Sequence, residues 1–377
     1  MKKPALLDIK YYTLNKILKY KAKYNIIFGL RSNGKSYSVL EYSLKQYIKT
    51  GKQLAILRRF REDFRGKRGQ QMFTNLERNE KGVNVVKEIT GGRYTKIIYN
   101  ASRWYLANWD EETQKYIHEE EPFAFAFALS EQEHDKSSSY GKIGNIFFDE
   151  FITRSAYLPD EYILFMNCLS TIIRNRDDVK IFMCANTVSG AKYCPYFKEM
   201  GLNHIKDMVP GDIELYKYGN SGLTVAVEFS DSPNKTRPSD VYFAFDNPKL
   251  AMITGHGDVW ELDIYPHITH SIEKEDIIFS YFILFDDYTL QADIVINDTE
   301  KFTYIHNKTT PIKNNTKDII FSLTPNEKYN YYVSMIRPCN DVTRKIISFF
   351  ASNKVFYQSN DIGEIVNQYL TQCKSMI

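Results

Sequence analysis

Hydrophobic and polar positions in the first half of the chain alternate between short apolar runs and stretches with a period near 3.6. The run Tyr24-Asn25-Ile26-Ile27-Phe28 predicts a buried strand. Beyond a polar gap, Tyr37, Leu40, Leu44, Tyr47 and Ile48 recur at helical spacing, and Gly51 closes the segment as a helix-ending glycine. QLAILRRF, Gln53 to Phe60, is apolar through Leu57 and predicts a second strand, buried on both faces of a parallel sheet. Val83 to Asn100 places two β-rich runs around Gly91-Gly92 and predicts a hairpin. FAFAFALS (Phe123 to Ser130) and NIFFDEF (Asn145 to Phe151) read as further strands, joined by the polar loop Glu131 to Gly144. Pro159 to Arg176 begins with proline and acidic residues and ends in arginines, the charge order a helix dipole favours. Val179 to Thr187 is then another buried strand. This alternation predicts a doubly wound α/β domain.

After Gly211 the texture changes. IELYKYGNSGLTVAVEF predicts a hairpin turned at Gly219 to Gly222, and SDSPNKTRPSD, Ser230 to Asp240, reads as a polar linker with prolines. Residues 1–231 are therefore expected to form the first domain, 232–258 a linker and 259–377 a second, smaller α+β domain. Its strand candidates are Val259 to Tyr265, Ile277 to Phe285 and Asp293 to Asn297, followed by a helical tail with TRKIISFF and EIVNQYL as apolar faces.

Composition narrows this picture modestly. A chain of 377 residues is long for one core, which agrees with two domains. Charged residues at 25% and hydrophobic ones at 43% are the balance of a folded protein, which argues against disorder. The net charge of +3 permits an anionic partner without requiring one, so any nucleic-acid contact must come from a local patch. Cys168, Cys184, Cys194, Cys339 and Cys373 form no C-x-x-C pair and no metal spacing, and read as reduced core thiols of a cytosolic protein. The start MKKPALLDIKYYT lacks the apolar core of a signal peptide, and the longest apolar stretch, near Ile277 to Phe285, is too short to span a bilayer.

The chemistry sits between the first strand and the first helix. Gly29, Leu30, Arg31, Ser32, Asn33, Gly34, Lys35 and Ser36 spell G-x-x-x-x-G-K-[ST], a loop whose backbone N–H groups cradle phosphates at a helix N-terminus. In that reading Lys35 reaches the β- and γ-phosphates of ATP and the Ser36 hydroxyl ligates Mg²⁺. Hydrolysis needs a second strand that brings carboxylates to the same point, and NIFFDEF supplies it. Asp149 would hold the Mg²⁺ shell and Glu150 would polarise the attacking water, unless the pair is only an acidic strand end. Together these mark an additional-strand, catalytic-glutamate NTPase, with the material between the second strand and Ser130 offering room for the extra strand. Asn186 either touches the γ-phosphate and lytic water or closes a tight turn. Arg31 either forks to phosphate or Glu150 or is solvated. The basic segment Arg58 to Arg68, with Arg58, Arg59 and Arg61 foremost, is either a DNA phosphate-tracking loop or a solvated charged stretch. Lys136 is a further candidate for DNA or for a neighbour's nucleotide.

In order and spacing, GLRSNGKSYSVLEYSLKQYIKTGKQLAILRRF, NIFFDEF and TIIRNRDDVKIFMCANTVS resemble the DNA-packaging ATPase, or DNA encapsidation protein, of small Picovirinae-type podophages. The resemblance is strong over about the first 200 residues. It implies an ATP- and Mg²⁺-dependent motor that forms a homomeric ring, usually a pentamer, and drives double-stranded DNA into a prohead. The portal and prohead, and in some cases a structural RNA, are the implied partners. The implied location is the host cytoplasm, transiently at the portal vertex, with no place in a membrane or the mature virion. It further implies that Arg174 is an arginine finger serving the adjacent subunit, where the residue type alone fits a helix C-terminus equally well. The second domain then resembles an RNase H-type nuclease that has lost its metal-binding acids, although Glu261, Asp263, Asp286 and Asp287 leave carboxylates on its strand candidates. A helicase or phage-assembly motor of the same class, a nuclease-active terminase and a nucleotide-gated scaffold without turnover are the alternatives.

Overall fold

The computed structural model describes residues 11–29, 33–131, 140–153, 157–186, 194–219, 221–231, 265–268, 272–297, 300–313, 318–323, 331–332, 335, 337 and 340–375. The chain divides into two compact units, the smaller comprising Thr153–Pro159, Val188–Cys194 and Glu261–Ile377.

The larger unit is built on a ten-stranded sheet. Its strands are β1 (Tyr24–Gly29), β2 (Gln53–Arg58), β3 (Lys96–Asn100), β4 (Arg103–Asp110), β5 (Lys115–His118), β6 (Ala124–Ala128), β7 (Ile143–Asp149), β8 (Lys180–Asn186), β9 (Ile213–Tyr218) and β10 (Leu223–Ser230). They lie in the order β3-β4-β6-β2-β7-β8-β1-β10-β9, with β5 paired to β4. The run from β6 to β10 is parallel, and antiparallel strands finish both ends. Helix α1 (Lys35–Thr50) covers one face, where Phe147 joins Leu40 and Leu44 in the core. On the other face Phe148 stacks on Phe165 of helix α2 (Glu161–Ile173) at 5.3 Å. Neighbouring residues of one strand thus serve two layers, as a sheet buried on both faces requires.

Two expectations for this sheet do not hold. The strand between the phosphate-loop strand and the acidic strand is β8, which follows the acidic pair in sequence, while residues after β2 form β3 to β6 on the far side of β2. The hairpin expected around Gly91-Gly92 is absent. Val85–Ile89 is a short helix, because Asn84 accepts from the Lys87 N–H at 2.8 Å and caps it, and Val85 and Val86 are buried against the core. Gly91 and Gly92, both at positive φ, end that helix. The tight turn falls instead between β3 and β4, at Ala101 (φ 47) and Ser102 (φ 63).

The smaller unit holds a six-stranded sheet, β11 (Ile277–Phe285), β12 (Tyr288–Ile296), β13 (Lys301–Asn307), β14 (Ile320–Ser322), β15 (Tyr331–Tyr332) and β16 (Val355–Tyr357), in the order β15-β14-β11-β12-β13-β16. Strands β11 to β13 are an antiparallel meander; β14 runs parallel to β11, and β15 to β14. Helices α3 (Asp341–Ala351) and α4 (Asn360–Ser375) bury one face, with Ile346, Phe349, Ile365 and Tyr369 against Tyr281, Ile283 and Ala292. Strand β12 begins at Tyr288 rather than Asp293, so Asp286 and Asp287 lie on an exposed turn, not on a strand. The expected strand at 259–265 lies outside the described residues, apart from Tyr265, which is not in a strand. Cys168, Cys184, Cys194 and Cys373 are buried and none of them is in a disulfide, while Cys339 lies outside the described residues. Among the described residues no helix is long and apolar enough to cross a membrane.

Candidate active site

Parallel strands gather their functional groups where they end, and register decides which residues meet there. Gly29, the last residue of β1, lies opposite Asn186, the last of β8, and Asp149, the last of β7, lies opposite Cys184. Three adjacent strands therefore converge on one spot. Gly29 sits at φ 151, and a Cβ there would fall 2.2 Å from the Ser230 Oγ, so the close packing of β1 against β10 demands glycine. Gly34 starts α1 at φ 96. Leu30, Arg31 and Ser32 lie outside the described residues, as does Lys136.

Helix α1 then sends its first two side chains back over the strand ends. The buried Lys35 ammonium donates to the Gly29 carbonyl at 3.0 Å and to the Asn186 Oδ1 at 3.5 Å. The Ser36 hydroxyl donates to the Asp149 Oδ1 at 2.8 Å. Glu150 leaves the strand in the left-handed region, φ 59, held by its N–H to the Cys184 carbonyl at 2.8 Å. That turn keeps its carboxylate on the same side as Asp149, although neighbours on a strand would point apart. Burial and the nearby Asp149 carboxylate push the Cys184 thiol up, so it stays neutral beneath the site.

Arg58 joins the two carboxylates. It ends β2, the strand beside β7, and its guanidinium donates to Asp149 Oδ2 and, at 2.7 Å, to Glu150 Oε2. Burial alone would lower its pKa, but the Asp149 and Glu150 carboxylates outweigh that and hold it above its ordinary value. Arg59 turns inward: it pairs bidentately with the buried Glu161 at 2.6 and 2.8 Å and donates to the Phe151 carbonyl at 2.9 Å. Expected as DNA contacts, Arg58 and Arg59 are instead committed to carboxylates, and Arg59 is only 7% exposed. No local signal could have found these pairs, because the partners lie about a hundred positions away and meet only through the pairing of β2 with β7. Arg61 is exposed and pairs with Glu131.

With this geometry in view, the comparison with known families is decisive. The model of the podovirus DNA encapsidation protein (Gp16) matches residues 7–117 and 110–374. The chain belongs to that family. The DNA packaging protein of Bacillus phage PZA is 24% identical over 359 residues, covering 94% of this chain and 95% of that one. That of Bacillus phage phi29 is 24% identical over 363 residues, with the same coverage. A chain of the solved bacteriophage phi29 genome packaging motor assembly is 20% identical, with a TM-score of 0.52 over 97% of this chain and 99% of that one, a likeness of fold.

Arg174 of this encapsidation-family chain caps the C-terminus of α2 and is exposed, with φ 52. Two residues on, Arg176 donates to the Ile143 carbonyl at the start of β7, so Arg174 lies toward the edge where the parallel strands begin, away from the strand ends that carry Lys35 and Ser36. In the smaller unit, no group of three or more His, Cys, Asp or Glu among the described residues could hold a metal ion. Glu261 and Asp263 are outside the described residues.

Proposed function

We propose that the chain is the ATP-hydrolysing subunit of a ring-shaped motor that moves double-stranded DNA into a phage prohead. The observation that carries this reading is the convergence of Lys35, Ser36, Asp149 and Asn186 on the ends of three adjacent strands, with β8 inserted between β1 and β7. That insertion is the strand order of the additional-strand NTPase class. In this reading residues 1–231 are the ATPase domain, 232–258 the linker and 259–377 a domain of RNase H type. The order β13-β12-β11-β14-β15, a meander extended by parallel strands from its first member, supports the RNase H assignment.

Residues 29–36 would bind the phosphates, with Arg31 reaching a phosphate oxygen or Glu150. Lys35 neutralises the β- and γ-phosphates while Asn186 fixes its direction. Ser36 and Asp149 present two hard oxygen donors 2.8 Å apart, a donor set suited to Mg²⁺. Bound there, the ion would offset charge on the phosphates. Glu150, 62% exposed and held by Arg58, is the base that polarises water once released. Arg174, too far away to serve its own site, acts on the neighbouring subunit's nucleotide. Portal, prohead and, where one is used, a structural RNA are the partners at the vertex; Arg61 and the exposed Arg65, Lys67 and Arg68 are the candidates for DNA phosphates. The RNase H-type domain does not cut DNA in this reading.

Two substitutions test the roles. Lys35→Ala should lose ATP affinity, whereas Glu150→Gln should bind ATP and lose turnover by roughly 10² or more. Equal loss of binding in both would remove the assignment.

A further inference from the structure

Two exposed patches of opposite charge lie near opposite ends of the large sheet. The first is the tip of the β4–β5 hairpin, on the second strand from one end. There Trp109 is 46% exposed, Tyr116 44% and Ile117 57%, and the two aromatic rings pack edge to face at 5.1 Å. Aromatic surface of this kind is uncommon outside interfaces. Glu111 and Glu112 are exposed at its turn beside Asp110, against one lysine, Lys115. This sign repels nucleic acid and selects a basic protein surface.

The second patch flanks the 3-10 turn Ile17–Tyr20, which packs on β10, the second strand from the other end. Lys16, Lys19 and Lys21 are exposed there beside Tyr20, itself 43% exposed. Both patches lie at the edge where the parallel strands begin: Lys23 immediately precedes β1, and the hairpin tip lies beyond the start of β6.

From this we infer that the β4–β5 hairpin of one copy docks on the lysine turn at Lys16–Lys21 of the next, forming the head-to-tail contact between subunits. Complementary patches at opposite lateral ends of one sheet are what a heterologous interface needs, and a rotation that closes turns such contacts into a ring. An isologous dimer would instead set acid against acid. The inference rests on the ring reading above and names the surfaces that build it.

The test is sedimentation velocity of the full chain with Mg²⁺ and a non-hydrolysable ATP analogue, with binding of a fluorescent ATP analogue measured in parallel. Glu111→Lys with Glu112→Lys reverses the hairpin, and Lys19→Glu with Lys21→Glu reverses the turn. Each variant alone should associate about tenfold or more weakly than wild type. An equal mixture should regain association, since every contact in an alternating assembly is again complementary. Should a reversal unfold the chain, Trp109→Ala carries the test, with about tenfold weaker association expected. Wild type that never associates, reversed variants that associate normally, a mixture of folded variants that stays apart, or an indifferent Trp109→Ala would each overturn the proposal. Normal association with failed packaging would do so as well, by assigning the hairpin to another protein. Failure of the wild-type chain to bind the nucleotide would instead count against the ATPase reading and leave the association result standing.

Discussion

Replacing Arg58 by alanine separates its pairing with Asp149 from its restraint on Glu150. Its guanidinium is 18% exposed and bridges Asp149, 8% exposed, to Glu150, 62% exposed. The two arms carry unequal weight. Removing one partner of a buried pair costs about 3–5 kcal/mol, because the remaining charge is left uncompensated. That figure applies to the Asp149 arm, at its lower end since the Ser36 hydroxyl still donates to this carboxylate. The Glu150 arm faces solvent and contributes less than about 1 kcal/mol. Arg58→Ala should therefore lower stability by about 3 kcal/mol, or roughly 6–12 °C in Tm for a domain of this size. In the proposed site Mg²⁺ would compete with Arg58 for the Asp149 carboxylate, so MgATP should restore most of the loss and raise the Tm of the variant more than that of wild type. Differential scanning fluorimetry with and without MgATP reads both quantities. An equal MgATP shift in the two proteins would show that Arg58 does not compete for the metal-side carboxylate, and the restraint on Glu150 would lose its basis.

Gly29→Ala should lose about 1–3 kcal/mol in urea unfolding, because its Cβ would meet the Ser230 Oγ at 2.2 Å and the Ser230 carbonyl at 2.7 Å; an unchanged midpoint would contradict the close approach of β1 to β10. Asp293 is buried on β12, where burial alone would raise its pKa, but hydrogen bonds from His306, Gln291 and Ser280 hold it below the usual carboxylate range. The unfolded chain then binds this proton more readily, so the stability it contributes is present above the ordinary aspartate pKa of about 3.9 and is lost as pH falls through the folded value. Asp293→Asn should flatten that part of the acid loss as pH falls below about 4, and parallel curves for wild type and variant would remove it. Arg174→Ala should bind ATP yet hydrolyse it about 10³-fold more slowly, and mixing it with Lys35→Ala subunits should regain activity that neither has alone. Activity no greater than the sum of the two, with mixed rings demonstrably formed, would mean that Arg174 does not act across subunits.

Much of the candidate site was legible because its parts are local. A strand, a glycine loop and a helix in sequence need no long-range information, and neither does an apolar run ending in two acids. What escaped was set by tertiary pairing. Which strand lies between β1 and β7 depends on a crossover that no periodicity encodes. Arg58 and Arg59 looked like a basic surface patch because their carboxylate partners, Asp149, Glu150 and Glu161, lie about a hundred positions away in the chain. Val85–Ile89 carried β-branched residues and yet formed a helix, because an Asn84 cap and burial of Val85 and Val86 outweighed a propensity difference of a few tenths of a kcal/mol. The Asp293–His306 pair was invisible for the same reason as the arginines: it exists only because β12 and β13 are neighbours.

Nuclease protection of duplex DNA in empty proheads tests the central claim most directly, with purified full-length protein, portal-bearing proheads, any structural RNA they require, Mg²⁺ and ATP. Wild-type protein should render the DNA resistant to added nuclease in step with ATP consumption, while Glu150→Gln, with ATP bound, protects none above background. Protection that proceeds equally with Glu150→Gln, or wild-type hydrolysis of ATP that never yields protected DNA under those conditions, would contradict the account.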